Sequence, residues 1–286
     1  MRQLLLILAT LCVLPLGTAL AQKGTYKNFD DALANAQQVT ALTVTSKKLQ
    51  QLPDVFDQFP NLTEVNFSYN NLTSLPPSFY RCAKLKKVNL FHNQLDSLPP
   101  SIAQLRKLEI LAISNNRLST LPDSICYLPS LKDLFLTANK LDRLPDSFGA
   151  LKTLVTLRAN ENNLTQLPAS LVNLPKLELL DLSQNRLERL PEDIGKLTEL
   201  RVFYVGRNVL SGIPESIGKC EKLIEIDAAY SGVLRMPYSL TNLALLDKVY
   251  IDYRTISFYT HPMMEQRQRV IVVPAGNGSR PYRSMQ

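Results

Sequence analysis

The chain has 286 residues, 45% of them hydrophobic, enough apolar mass for a substantial core in one or two domains. Its formal charge of +7 is modest and scattered except at the carboxyl end, unlike the uniformly positive stripe that tracks phosphates, so no nucleic-acid partner is expected. Its two histidines, His92 and His261, stand too far apart for a histidine-based triad or a multi-histidine metal site, and no metal or other cofactor is expected.

From the amino terminus, Arg2 precedes an apolar run from Leu4 to Leu16 that is short for a membrane span. Ala19-Leu20-Ala21 then places small residues at cleavage-site spacing, so residues 1–21 read as a signal peptide and the mature chain starts at Gln22. Leu11 precedes Cys12 where lipid attachment needs a small residue, which argues against a lipid anchor. Export to the periplasm, the cell surface or the medium follows, with no membrane span in the mature chain. Residues 22–38 are expected to form an amino-terminal capping helix, running from Asn28 to Gln38. Asn28 is its N-cap, Asp31 follows three residues on, and Phe29, Ala32, Leu33 and Ala36 make an apolar stripe able to cover a core end.

A repeat then takes over. Leu62, Leu85, Leu108, Leu131, Leu154, Leu177, Leu200 and Leu223 are each 23 residues apart; Val39 extends the register backwards and Leu246 forwards, giving ten units over residues 39–268. Each unit reads L-x-x-L-x-L-x-x-N-x-L-x-x-L-P-x-x-I-x-x-L-x-x. Asn holds the ninth position in seven units, from Asn70 to Asn208, and Pro holds the fifteenth in nine, from Pro53 to Pro237. The x-L-x-L-x stretch alternates with period two, which predicts a short strand with one buried face. The ninth-position amide can bond backbone groups left unpaired where the chain turns, and Pro starts a 3₁₀ or irregular segment on the outer wall. Towards the carboxyl end Ser231 and Arg254 replace Asn and Thr260 replaces Pro. Residues 269–286 are expected to give a closing strand at Arg269-Val-Ile-Val-Val273 and a mobile tail.

On these residues the chain resembles the leucine-rich-repeat family, and its LPxxIxxL segment resembles a subclass shared by bacterial exported repeat proteins and Ras-associated scaffolds. The resemblance implies an α/β-type solenoid with a curved parallel β-sheet on its concave face and short 3₁₀ segments on its convex face. Exported repeat proteins of vertebrates and plants often carry cysteine-rich caps, from which this chain departs; that favours a bacterial style of protein.

Enzyme chemistry is not evident. Ile217-Gly-Lys-Cys220 is similar to a fragment of a phosphate loop, but it lacks the earlier glycine and Ile217 falls on a core position. Cys82 and Cys220 occupy repeat position 21 and read as core residues; Cys126, at position 19, is expected to be more exposed. Coils stacked about 4.8 Å apart leave these cysteines too distant to bridge, so no disulfide within the chain is expected. The sequons at Asn61, Asn66, Asn71, Asn163 and Asn277 arise largely because the repeat writes N-x-L-T.

Positions 3, 5, 7 and 8 should face the concavity, because positions 4 and 6 are buried. The amino-terminal third of this column looks small and polar, whereas from Phe135 onward aromatic and charged residues alternate. Aromatics and Arg at the centre of a concave face resemble interface anchors. The expected ligand-binding residues are therefore Phe91, Phe135, Arg158, Asp181, Tyr204, Asp227, Tyr230 and Tyr250; the structural alternative is an exposed ion-pair ladder of Arg158 and Asp181 beside Tyr204. The function expected is non-enzymatic binding of a protein or peptide, with carbohydrate or cell-wall glycan as the alternative ligand.

Overall fold

A computed structural model of the chain describes residues 24–253 and 270–273. The expected signal peptide 1–21, residues 254–268 of unit 10, Arg269 of the expected closing strand and the expected tail after Val273 lie outside the described residues. Each coil contributes one short strand, and the strands stack in sequence order into a single parallel sheet of twelve. They are β1 (Thr25–Tyr26), β2 (Ala41–Thr43), β3 (Glu64–Asn66), β4 (Lys87–Asn89), β5 (Ile110–Ala112) and β6 (Asp133–Phe135). The second half holds β7 (Thr156–Arg158), β8 (Leu179–Asp181), β9 (Val202–Tyr204), β10 (Glu225–Asp227), β11 (Lys248–Asp252) and β12 (Val270–Val273). From β2 to β11 every strand pairs with the next at an offset of 23 residues, for example Phe135 with Arg158 and Arg158 with Asp181.

The core runs the length of the stack, and one coil shows why. In unit 5, Leu131, Leu134, Leu136, Leu141 and Leu151 are fully inaccessible, as the repeat pattern requires. The ninth-position Asn closes the turn after the strand. Asn139 Nδ2 donates to the carbonyls of Ile113 and Leu136 at 3.0 Å each, and its Oδ1 accepts from the N–H of Leu118 at 3.0 Å. The set recurs at Asn116, Asn162, Asn185 and Asn208, so one amide satisfies three backbone groups across neighbouring coils. Where Ser231 replaces Asn, its hydroxyl still donates to Val205 O at 2.9 Å. On the outer wall, 3₁₀ segments follow Pro76, Pro99, Pro122, Pro168, Pro214 and Pro237, whose φ values lie between −60° and −75°.

The turn has one feature with no sequence signal. In units 1 to 9 position 8 adopts a left-handed backbone with φ between 55° and 60°, and its occupants are Ser46, Tyr69, His92, Asn115, Ala138, Glu161, Gln184, Arg207 and Tyr230. None is glycine. This conformation costs about 1–2 kcal/mol for most of these residues. It is held because the position-8 N–H donates to the next coil, as from Tyr69 to Phe91 O and from Glu161 to Ser183 O.

The amino-terminal segment is broken in two. Helix α1 spans Phe29–Ala34, with the Asn28 side chain accepting from the Asp31 N–H and donating to its carboxylate. A separate 3₁₀ turn covers Ala36–Gln38, because Asn35 leaves the helical region at φ −127°. Phe29 closes the first coil by packing on Phe56 and Phe67, with ring centroids 6.0 and 6.2 Å apart. Ahead of it lies β1, which has no counterpart in the sequence reading and pairs with Ala41 and Leu42. At the other end β12 pairs with β11, placing Ile271 opposite Tyr250.

Cys82, Cys126 and Cys220 are all buried and none is in a disulfide. This corrects the expectation for Cys126, which is 1% exposed because its 3₁₀ segment turns it under the outer wall. Burial pushes all three thiols up to about 12, so they stay protonated. Ile217 and Cys220 are fully inaccessible, as ordinary outer-wall sequence would be.

Candidate functional site

Position 5 forms one line along the open side of the sheet: Ala112, Phe135, Arg158, Asp181, Tyr204, Asp227 and Tyr250 are consecutive register partners, and Ile271 extends the line. The structure thus brings Phe135, Arg158, Asp181, Tyr204, Asp227 and Tyr250 together on one face. Phe91 lies two units before Phe135, at position 7, and Tyr230 stands at the left-handed turn, on the rim.

Exposure within the line is uneven. Arg158, Tyr204 and Tyr250 are half-buried, but Phe135 is only 6% exposed and Asp181 and Asp227 only 7% each, contrary to a row of freely presented side chains. Strands about 4.8 Å apart let a large side chain be covered by its neighbours even on an open sheet face. Position 3 adds to that cover. Thr156, Leu179 and Val202, absent from the sequence-based list, are buried beside the position-5 line and form its partly apolar floor. Their signal was the strand register, which places positions 3 and 5 on the same side.

Position 5 also has a structural task that sequence reasoning missed. Asn66 and Asn89 each accept a hydrogen bond from the N–H two residues on, at 3.1 and 3.0 Å. Asp181 and Asp227 do the same, accepting from Ser183 N–H at 3.1 Å and Ala229 N–H at 2.9 Å. Asp181 also accepts from the Ser183 hydroxyl at 2.7 Å. Burial outweighs these bonds and raises its carboxyl above the usual range, and burial likewise raises Asp133. The alternative of an exposed Arg158–Asp181 ion-pair ladder is not the arrangement found: Asp181 is buried and turned to its own backbone, Arg158 Nε is buried without a hydrogen-bond partner, and the guanidinium charge acts on Asp181 only as a minor lowering influence.

Tyr204 donates to Glu225 Oε1 at 2.8 Å, and Lys248 lies 3.7 Å from the same carboxylate. Burial first, and then the Glu225 charge, raise the Tyr204 hydroxyl well above its ordinary value. Gly206 keeps this part of the face low: a β-carbon there would sit 2.8 Å from Ala229 O and 3.1 Å from Asp227 Oδ1. On the rim, Arg207 lies over the Tyr230 ring at 4.8 Å, while the Tyr230 N–H donates to Asp252.

The amino-terminal third is less bland than its composition suggests. Tyr69, Phe91 and His92 pack together, with Tyr69 centroids 5.2 Å from both neighbours, and Tyr69 remains 53% exposed. Left-handed position 8 swings Tyr69 and His92 towards Phe91, which spacing alone does not reveal.

The leucine-rich-repeat family model matches residues 37–95 and 83–141, and a second leucine-rich-repeat model matches residues 176–197. Among solved structures, the chain is similar to a leucine-rich-repeat protein of Leptospira interrogans, at 25% identity and TM-score 0.65 over 81% of this chain and 76% of that one. It is also similar to the leucine-rich-repeat ectodomain of the Arabidopsis thaliana membrane receptor kinase GASSHO1/SCHENGEN3, solved in complex with CASPARIAN STRIP INTEGRITY FACTOR 2, at 27% identity and TM-score 0.67. That match covers 80% of this chain but only 28% of the ectodomain. The plant peptide hormone receptor RGFR1, in complex with RGF2, shares the fold at 24% identity and TM-score 0.53, over 75% of this chain and 45% of the receptor. Comparison with curated proteins returns no match. The chain is a leucine-rich-repeat protein. Among the described residues no helix is long and apolar enough to cross a membrane, and no group of three or more His, Cys, Asp or Glu side chains is placed to hold a metal ion.

Proposed function

We propose that this chain is an exported, non-enzymatic binding module that takes a protein or peptide along the carboxyl-terminal half of its open sheet face. The observation that carries this reading is the unbroken register line from Phe135 to Tyr250, in which Arg158, Tyr204 and Tyr250 are half-exposed above a floor of Phe135, Leu179 and Val202. Large amphipathic side chains over an apolar floor are the composition of interface anchors. Five strand spacings of about 4.8 Å give a line of roughly 24 Å, the reach of about seven extended residues. The similar GASSHO1/SCHENGEN3 ectodomain, whose structure is a complex with a partner factor, supports the reading. A carbohydrate reading has its own observation: the exposed ring of Tyr69 beside Phe91 and His92 suits stacking on a sugar.

The test is a random peptide display library panned against the full mature chain, in parallel with a glycan array. Enriched peptides that lose binding at least tenfold to the Tyr204→Ala/Tyr250→Ala variant are expected. Glycan retention that depends on Tyr69, without any peptide enrichment, would transfer the function to the second reading.

A further inference from the structure

Position 5 offers an internal control on what the fold needs. Asn66 and Asn89 bond the N–H two residues on, and Asp181 and Asp227 make the same bond at the same place. An amide therefore serves the backbone as well as a carboxylate, without the cost of holding a charge out of water. Yet units 7 and 9 carry Asp there, 7% exposed in both cases.

The excess is regional. In units 5 to 10, positions 3, 5, 7 and 8 carry Asp133, Glu161, Asp181, Glu225, Asp227 and Asp252 against Arg158, Arg207 and Lys248, six acids to three bases. In units 1 to 4 the same positions carry only Glu64 and Lys87, which pair with each other at 2.8 Å. Two of the three bases in the acidic half are engaged locally, Lys248 beside Glu225 and Arg207 over Tyr230. A chain with a formal charge of +7 thus carries an acid-rich, tyrosine-bearing half on one face; Asp252 is fully inaccessible, Asp181 and Asp227 keep 7% exposure each, and Asp133, Glu161 and Glu225 are half-buried.

Resting on the peptide-binding reading above, we propose that this half selects a cationic partner: an extended segment of another protein whose Arg or Lys side chains lie over Asp227 and Glu225, between the rings of Tyr204 and Tyr250, and over Asp181, beside Tyr204. The register fits the chemistry. Tyr204, Asp227 and Tyr250 are consecutive in the line, so a cation over Asp227 meets a carboxylate below and an aromatic ring on each side. Gly206 leaves the approach to Asp227 without a side chain at position 7 of the preceding coil. Complementary charge of this kind sets partner choice and association rate more than raw affinity.

The test uses the peptides recovered from the library on the full mature chain. They are expected to be enriched in Arg and Lys over the unselected library, and to bind at least tenfold more weakly to Asp181→Asn/Asp227→Asn. That variant keeps the backbone bond, as Asn66 and Asn89 do, and its melting temperature, expected to stay level or rise, separates lost charge from lost fold. A neutral or acidic set of enriched peptides, or a cationic set bound equally by the Asn variant, overturns the cationic partner and leaves peptide binding standing. Enrichment of nothing removes the binding reading itself. The chain's own Arg280 and Arg283 are checked with an Arg280→Gln/Arg283→Gln chain. The same peptides should be recovered, and cationic enrichment appearing only in that variant would make the occupant internal and overturn a separate partner.

Discussion

The two halves of the open face are built on one frame and loaded differently. In units 2 and 3 Asn66 and Asn89 tie down the turn with neutral amides, near an ion pair, Lys87 with Glu64, that cancels itself. In units 7 and 9 carboxylates make the same bond from buried positions, Asp181 between half-buried Arg158 and Tyr204 and Asp227 between half-buried Tyr204 and Tyr250. A difference that the turn bond does not require, repeated in two coils, is the feature that the proposed cationic partner would read. Solenoid stability is set coil by coil, so such a difference persists without disturbing its neighbours.

The largest test asks whether the frame is common. Asn70→Ala and Asn208→Ala each strip several buried backbone groups of their partners, and each should cost about 3–5 kcal/mol in urea unfolding. Unequal losses would break the premise that both halves share one scaffold. Next in size, Asn89→Ala and Asp181→Ala should each cost about 1 kcal/mol through the lost turn bond. Asp181→Asn should cost nothing at neutral pH, which urea midpoints would show.

The halves should also respond oppositely to pH. Desolvation raises Asp181 and Asp133 above their ordinary 3.8, so their folded forms hold protons more tightly than the unfolded chain. Stability from these groups is full below that value and falls as pH rises through the folded pKa. At the amino-terminal outer wall, hydrogen bonds from Ser78 lower Asp54 and one from Arg81 lowers Asp57, so their contribution is present above 3.8 and lost as pH falls. Unfolding at pH 4 and pH 7 should therefore show Asp181→Asn gaining on the parent chain at pH 7; an equal difference at both would contradict its burial. The smallest effect belongs to Arg207. Its contact with Tyr230 at the rim should be worth about 0.5 kcal/mol in an Arg207→Ala/Tyr230→Ala double-mutant cycle.

Much of this was legible in the sequence because the repeat declares its own period. Leucine spacing placed the strands, Asn139 and its counterparts announced the inner ladder, and the prolines marked the outer-wall segments. The line from Phe135 to Tyr250 followed from alternation alone. Exposure did not follow, since facing away from the core is a property of one strand, whereas being covered is a property of three. Phe135 and Asp181 were misjudged for that reason. The cluster of Tyr69, Phe91 and His92 was hidden because their meeting depends on a left-handed turn that no glycine signals.

By itself, then, the order of residues determined the coil, its register and the choice of side for each side chain, because a period of 23 with alternating leucines admits one way to bury them. Only the stacked structure decided which of those outward side chains meet water. That outcome depends on neighbours 23 residues away in sequence and about 4.8 Å away in space, and on backbone bonds that turn a carboxylate towards its own chain.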